Sequence, residues 1–283
     1  MTPKSTLPSR YPVATTARVV PSTRSSLGIA LAALRCPSSS LGVIGCCSAG
    51  PAPTRRTVER GPNDQRNGYD MKASSDRTEV RRLPERAVYD RTTIEAIVDE
   101  ALICHVGFFA NGSPVVIPTI HARVDDILYF HGSPASRMLR GMKKGIEVSI
   151  AVTLLDGLVV ARTPFNQSMN YRSVIVFGEA RLVDDPDEKR LALKAVTDHV
   201  TPGRWEDSRP PSDKEIDGTL VLAVPLDEAS AKVRIGPPGD DDEDIGLPYW
   251  AGVVPLSIVP GTPIPDEGVD WPAPDYLADY RRQ

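Results

Sequence analysis

The residues best suited to chemistry fall in four short stretches. His131, Ser136 and Arg137 lie in ILYFHGSPASRMLR at 127–140, Tyr171, Arg172 and Ser173 follow one another, Lys232 and Arg234 alternate in the run Ala229 to Ile235, and Trp250 stands further on. Arginine, lysine and hydroxyl side chains together suit a phosphate dianion, because charge-assisted hydrogen bonds are the strong ones. In the first stretch an apolar strand ends at His131-Gly132, and Ser133 and Pro134 read as the N-cap and first residue of a helix. The free N–H groups of a helix start favour an anion in front of them. Trp250 offers an apolar face to a planar ring. Each residue also has a plainer reading: Ser133 caps its own helix, Arg137 and Arg140 are solvated, Arg172 and Arg234 make surface ion pairs, and Trp250 clasps the hydrophobic body.

Other site types are missing from the chain. It has no Walker loop, no G-x-G-x-x-G, no G-x-S-x-G and no Cys/His metal spacing, and His105, His121, His131 and His199 are dispersed. The acidic run Asp240 to Asp244 lacks turn glycines at ligand offsets and reads as a solvated loop, so no metal is expected. Charge is unevenly spread: residues 1–70 hold nine basic residues against three acids, net +6, whereas residues 71–283 hold 24 against 34, net −10. A body this acidic does not suit nucleic acid, which wants a positive stripe. No run approaches the ~18 consecutive apolar residues of a membrane span.

The Ser-, Thr-, Pro- and Arg-rich residues 1–70 cannot bury a core and are expected to be disordered. A targeting segment is one account of them, with Val43-Ile44-Gly45-Cys46 resembling a lipoprotein cleavage box; a start at Met71 preceded by an over-long extension is the other. Cys36, Cys46 and Cys47 lie in this segment and only Cys104 follows it, which fits a cytoplasmic body with Cys104 as core filler.

These side chains need elements to hold them. Asp90 caps a helix over about 91–102, with Ile94, Ile97, Val98 and Ala101 at helical spacing. Ile103 to Ala110 runs into an Asn111-Gly112 hairpin turn, Val115 to Val124 returns, and Asp125-Asp126 leads into Ile127 to Phe130. A helix of 134–143 follows, then strands Ile146 to Val152 and Leu158 to Ala161 with a break or bulge at Leu155-Asp156-Gly157, and a strand from Arg172 to Asp184. Asp185 and Pro186 open a helix over about 186–200 with Leu191, Leu193, Val196 and Val200 buried, ahead of a polar loop over 201–213. Thr219 to Pro225 and Ala229 to Ile235 form the last strand or bent pair, and residues 237–283 an extended arm. Six or seven strands joined by tight turns, without βα alternation, favour an antiparallel barrel with outer helices.

Val88 to Leu256 resembles the pyridoxamine 5′-phosphate oxidase-like split-barrel flavoproteins, most closely the branch with the nitroimidazole-resistance proteins. The resemblance rests on YFHGSPASR at 129–137, LLDGLVVAR at 154–162, NQSMNYRSVIVFGEA at 166–180, PGRW at 202–205, DEASAKVRIGPP at 227–238 and WAGVVPL at 250–256, in that order. It implies a mainly β, six-stranded antiparallel split β-barrel of Greek-key type over 71–256, with two or three peripheral helices and a Pro-rich tail over 257–283. It further implies a homodimer with FMN at the interface, Ser136 and Arg137 on the phosphate, the Pro118-Thr119 backbone beside the ring, and Arg172 and Ser173 at the ribityl chain or ring edge. His131 matches a histidine beside the flavin and is the candidate catalytic residue. Tyr171, Lys232, Arg234 and Trp250 complete the cofactor set. The implied activity is hydride or electron transfer to a small acceptor; a non-catalytic flavin or haem binder and a deazaflavin-dependent reductase are the alternatives. Three departures bear on this. Met138 follows Arg137 where the oxidase has a second cation, Asn166-Gln167 replaces histidines common in the branch, and the oxidase's closing tryptophan and arginine have no clear equivalent.

Overall fold

A computed structural model describes residues 72–132 and 145–280. The expectations for residues 1–70 and for the helix of 134–143, which carries Ser136 and Arg137, lie outside them. Among the described residues ten strands pair in antiparallel ladders: β1 (Ala87–Val88), β2 (Ile103–Ala110), β3 (Ser113–Ile120), β4 (Ala122–Val124), β5 (Ile127–Gly132), β6 (Ile146–Val160), β7 (Ser168–Leu182), β8 (Leu220–Pro225), β9 (Glu228–Arg234) and β10 (Gly252–Pro255). The order β3-β2-β6-β7-β8-β5-β4 curls until β3 approaches β5 without pairing to it. That gap makes the barrel split. The expected six or seven strands did not include β1 and β10, two and four residues long, and ran β3 and β4 together as one strand over Val115 to Val124. Strands this short show no period in sequence.

Strand β7 is the branch point. Its Tyr171–Phe177 half pairs with β9 and its Arg181–Leu182 end with β8, while β6 accompanies it from Ser168 to Ala180. The hairpin between β2 and β3 turns at Asn111 and Gly112, both at positive φ (52° and 75°), the conformation that suits the twist of flanking strands. The anticipated bulge in β6 is present: Leu155 faces Tyr171 and Gly157 faces Asn170, which leaves Asp156 as the extra residue in an otherwise continuous strand.

Inward residues of β2, β5, β6, β7 and β8, among them Val106, Phe108, Leu128, Phe130, Ile150, Val152, Val174, Val176, Leu222 and Val224, fill the barrel. Helix α1 (Arg91–Glu100) adds Ile94, Ile97 and Val98 to that core, and Asp90 accepts from the Thr93 N–H at its start. Cys104 is fully buried here, and burial pushes its thiol pKa up to about 12, so it is inert filler. Helix α2 (Pro186–Val200) lies on the other side of β5 and β8, over Tyr129, Val221 and Ala223. Its contact is made by Ala192 and Val196; Leu191, expected inside, is half exposed. A small residue at the contact lets the helix sit close to the sheet, which rotates Leu191 outward.

Helices α3 (Asp213–Asp217), closed by a Ser212/Glu215 capping box, and α4 (Asp275–Ala278) complete the elements; α3 starts at the end of the expected polar loop over 201–213 and was not assigned, and α4 lies in the expected arm. The expected strand Val115 to Val124 is interrupted at His121. Its Nε2 donates to the Val98 carbonyl at 2.9 Å, and His199 Nε2 donates to Ala101 at 2.8 Å, so two imidazoles serve the C-terminal carbonyls of α1. No helix among the described residues is long and apolar enough to cross a membrane.

Candidate functional site

Alternation along β7 divides the Tyr171-Arg172-Ser173 triplet between two faces. Tyr171 and Ser173 project outward, opposite Arg234 and Lys232 of β9, whereas Arg172 shares its face with buried Val174 and Val176. Four of the residues singled out from sequence thus share one face of two adjacent strands: Tyr171, Ser173, Lys232 and Arg234.

The cations of this face are not neutralised by carboxylates in the way their counterparts are. Arg77, Arg91, Arg123, Arg162, Arg172 and Arg181 each pair with an acid. Arg234 instead donates to neutral oxygens, those of the Asn170 side chain and of the Gly236 and Pro237 carbonyls, the last two at 3.3 and 3.1 Å. Burial, with Arg86 adding like-charge repulsion, holds its pKa below the ordinary arginine value, while Tyr171 pulls the other way. Lys232 Nζ donates to the Arg82 carbonyl at 2.7 Å, and Ser173 Oγ to the Lys232 carbonyl at 3.3 Å. Arg234, partly desolvated and bound only to neutral acceptors among the described residues, is a cation that an anion would stabilise, whereas Arg86 lies 3.9 Å from a Glu85 carboxylate oxygen. Arg86 was not singled out from sequence. It ends a single turn (Pro84–Arg86) before β1, and only the pairing of β1 with β9, Ala87 opposite Lys232, brings it here.

Arg172 is held differently. Its guanidinium donates to both oxygens of Glu100, at the end of α1, and to both of Asp156, the bulged residue of β6, with Nε–Oδ2 3.0 Å and Nη2–Oδ1 2.8 Å for Asp156. These hydrogen bonds, Glu100 first, raise its pKa well above the usual arginine range. The bulge aims Asp156 at this arginine, and the three residues tie β6, β7 and α1 together.

The remaining candidates lie elsewhere. Pro118 and Thr119 are on β3, which among the described strands pairs only with β2, so backbone groups on its open side are available to a ring edge. The β3-β2-β6-β7-β9 order puts four inter-strand spacings, about 19 Å, between Pro118 and the row of Lys232 in one chain. His131 is on β5, under α2. It lines a cavity of about 190 Å³ with Leu193, Thr197, Trp205, Glu215 and Thr219, and its buried Nδ1 has no hydrogen-bond partner among the described residues. Burial lowers its pKa, so the ring is neutral near pH 7. Trp250 precedes β10 and is two-thirds exposed, its ring folded back over Gly252.

The sequence profile described as pyridoxamine 5′-phosphate oxidase matches residues 90–233. Among solved structures, the flavocytochrome Anf3 from Azotobacter vinelandii is 42% identical over 75% of this chain and 100% of its own, with a TM-score of 0.70. The FAD and haem binding protein from Mycobacterium smegmatis is 36% identical over 69% of this chain and 96% of its own, with a TM-score of 0.66. A protein named for 5-nitroimidazole antibiotic resistance, from Bacteroides thetaiotaomicron, is 29% identical over 52% and 86%, with a TM-score of 0.43. No curated protein matches the chain.

Proposed function

The chain belongs to the pyridoxamine 5′-phosphate oxidase family, and from that premise we propose that it is a flavin-binding oxidoreductase that works as a homodimer and passes electrons to a small acceptor. The observation that carries the reading is Arg234, at the end of β9, which among the described residues donates only to neutral oxygens. A flavin phosphate fits there: Arg234, Arg86 and Lys232 supply positive charge, and Tyr171 and Ser173 supply hydroxyls. The flavin, when bound, supplies the hydride or electron transfer. The protein's part is to anchor the phosphate, to border the ring with the open backbone edge at Pro118 and Thr119, and to keep a neutral imidazole at His131.

FMN is the nucleotide that the family resemblance leads one to expect. FAD presents the same chemistry with one more phosphate, and the Mycobacterium smegmatis relative is an FAD and haem binding protein. A second cofactor is favoured by the same comparisons: the relative at 42% identity is named a flavocytochrome and the one at 36% an FAD and haem binding protein. We therefore read the chain as carrying a flavin and a haem, with electrons moving between them and an external acceptor.

The test begins with purified full-length chain, denatured to release its cofactors. Flavin near one per subunit, identified as FMN or FAD by mass, is the expected result. Colourless protein that takes up neither nucleotide would end the reading. Anaerobic reduction followed by mixing with a quinone or nitro compound then separates an enzyme, which turns over, from a binder, which does not.

A further inference from the structure

We propose that Asn170 is the positioning residue of the flavin-phosphate site: its buried carboxamide aims the Arg234 guanidinium and, being uncharged, leaves that cation for the phosphate. The proposal rests on the flavin reading above and adds the residue that keeps Arg234 unneutralised.

Asn170 lies near the start of β7, next to Tyr171, with 7% of its surface exposed. A carboxamide buried this far needs partners for both of its ends. It has them: Oδ1 accepts from Arg234 Nη1, and Nδ2 donates to the Gly236 carbonyl at 3.2 Å. The orientation is set by chemistry. A guanidinium only donates and a carbonyl only accepts, so the oxygen must face Arg234 and the nitrogen must face Gly236. The Gly236 carbonyl also accepts from Arg234 Nη1 at 3.3 Å, and the Pro237 carbonyl from Nη2 at 3.1 Å. Asn170 therefore grips both the arginine and the turn that supplies the arginine's other acceptors. Among the described residues it is the only side chain that holds Arg234 by a hydrogen bond.

An aspartate has almost the same shape and would hold a guanidinium more strongly. Arg162, just beyond the end of β6, shows the result. Its main-chain N–H and its Nη1 donate to the two carboxylate oxygens of Asp240 at 2.9 and 2.7 Å, and that carboxylate side chain is 3% exposed. Such a pair is neutral as a unit and offers little to a second anion. The stretch after β9 thus brings a carboxylate to Arg162 but only carbonyls to Arg234, and β7 adds an amide where an acid would have closed the site. An aspartate at 170 would do two things at once. It would cancel the charge of Arg234, and it would turn a second oxygen, with no proton to donate, towards the Gly236 carbonyl.

The test compares phosphate-bearing flavins with riboflavin, which has the same ring and ribityl chain and no phosphate. Full-length chain freed of its flavin is titrated with FMN, FAD and riboflavin, and binding is followed by flavin fluorescence. Asn170→Asp is expected to bind the phosphate-bearing flavins at least about tenfold more weakly than wild type, the scale of a lost hydrogen bond to a charged group, and riboflavin as wild type does. Asn170→Ala, which frees the guanidinium without adding a charge, is expected to lose less, again with riboflavin unaffected. In an Arg234→Ala background, Asn170→Asp is expected to change nothing further. Equal losses for FMN and riboflavin would make Asn170 a support of the fold alone and overturn the proposal. So would wild-type affinity in both Asn170 variants, or a loss in the Arg234→Ala background as large as in wild type. Wild-type protein that binds neither FMN nor FAD overturns the flavin reading itself, an outcome distinct from wild-type protein that binds FMN or FAD alongside variants that do so equally well.

Discussion

At the scale of single residues, two arginines that look alike in sequence differ in what surrounds them. Arg172 has four carboxylate oxygens around it, whereas Arg234 has only neutral ones. Arg234→Ala should therefore weaken flavin by about 1.5–3 kcal/mol, the worth of hydrogen bonds to a charged group, with little loss of stability. Equilibrium titration with the released nucleotide measures it, and an unchanged dissociation constant would remove Arg234 from the site. Arg172→Ala should do the reverse. Glu100 and Asp156 would be left facing each other, both about one-third exposed, and the loss should be about 1–3 kcal/mol in denaturant unfolding, less than for a fully buried pair. His131 gives a pH signature. Burial depresses its folded pKa below the ordinary value near 6.5, so between the two values the unfolded chain binds the proton more tightly. Its contribution is then complete above about pH 6.5 and is lost as pH falls through the unfolded pKa towards the folded one. His131→Gln should unfold with a smaller difference between pH 7.5 and pH 5.5 than wild type; an identical difference would mean that the buried ring does not titrate with folding.

At the scale of elements, the long ladder of β6 and β7 is extended by β10, which pairs Gly252–Pro255 with Gly157–Val160 and starts the C-terminal arm. The approach is close at Gly157, where a Cβ would lie 3.0 Å from Val253 Cγ1 and 3.1 Å from the Val254 oxygen. Gly157→Val should therefore push β10 off the sheet. Limited proteolysis checks this, with faster cleavage after residue 250 expected and an unchanged digestion pattern counting against it. The sequence made the caps at Asp90 and Asp185, the Asn111-Gly112 turn and the alternation of β2 legible, because each is a local signal in a single segment. Strands β1 and β10 were not legible, since two and four residues carry no period and acquire their conformation from the edges of β9 and β6. The same distinction holds in the site. Tyr171, Ser173, Lys232 and Arg234 could be picked out by residue type, but Arg86 reaches them only through the β1–β9 register. The separation of Arg172 from its neighbours was available in principle, because adjacent residues of a strand point to opposite faces.

At the scale of the whole molecule, the outer face from β3 to β9 exposes Ile103, Phe109, Val116, Ile120 and Leu155, and the arm adds Ile258, Val259, Ile264 and Trp271, with Ile264 at 93% exposure. Monomeric proteins rarely leave so much apolar surface in water, and a second copy related by a two-fold axis is the economical cover. The geometry of the candidate site gives a further reason. Within one chain the proposed phosphate residues on β9 and the open backbone edge at Pro118 and Thr119 are four strands apart, about 19 Å measured along the curled sheet, so a flavin shared between two subunits, phosphate contacts from one and ring contacts from the other, is the arrangement to test. Dimerisation and flavin affinity should then fail together. Val116→Glu combined with Phe109→Glu places two charges on the exposed face without disturbing the inward residues of β2 and β3, and light scattering should report a monomer. That monomer should release its flavin on dilution, while Arg234→Ala, which leaves the apolar face intact, should remain dimeric and bind flavin weakly. A monomeric double variant with wild-type flavin affinity would place the whole site within one chain, and the flavin would then have to bind the β7–β9 face without help from β3.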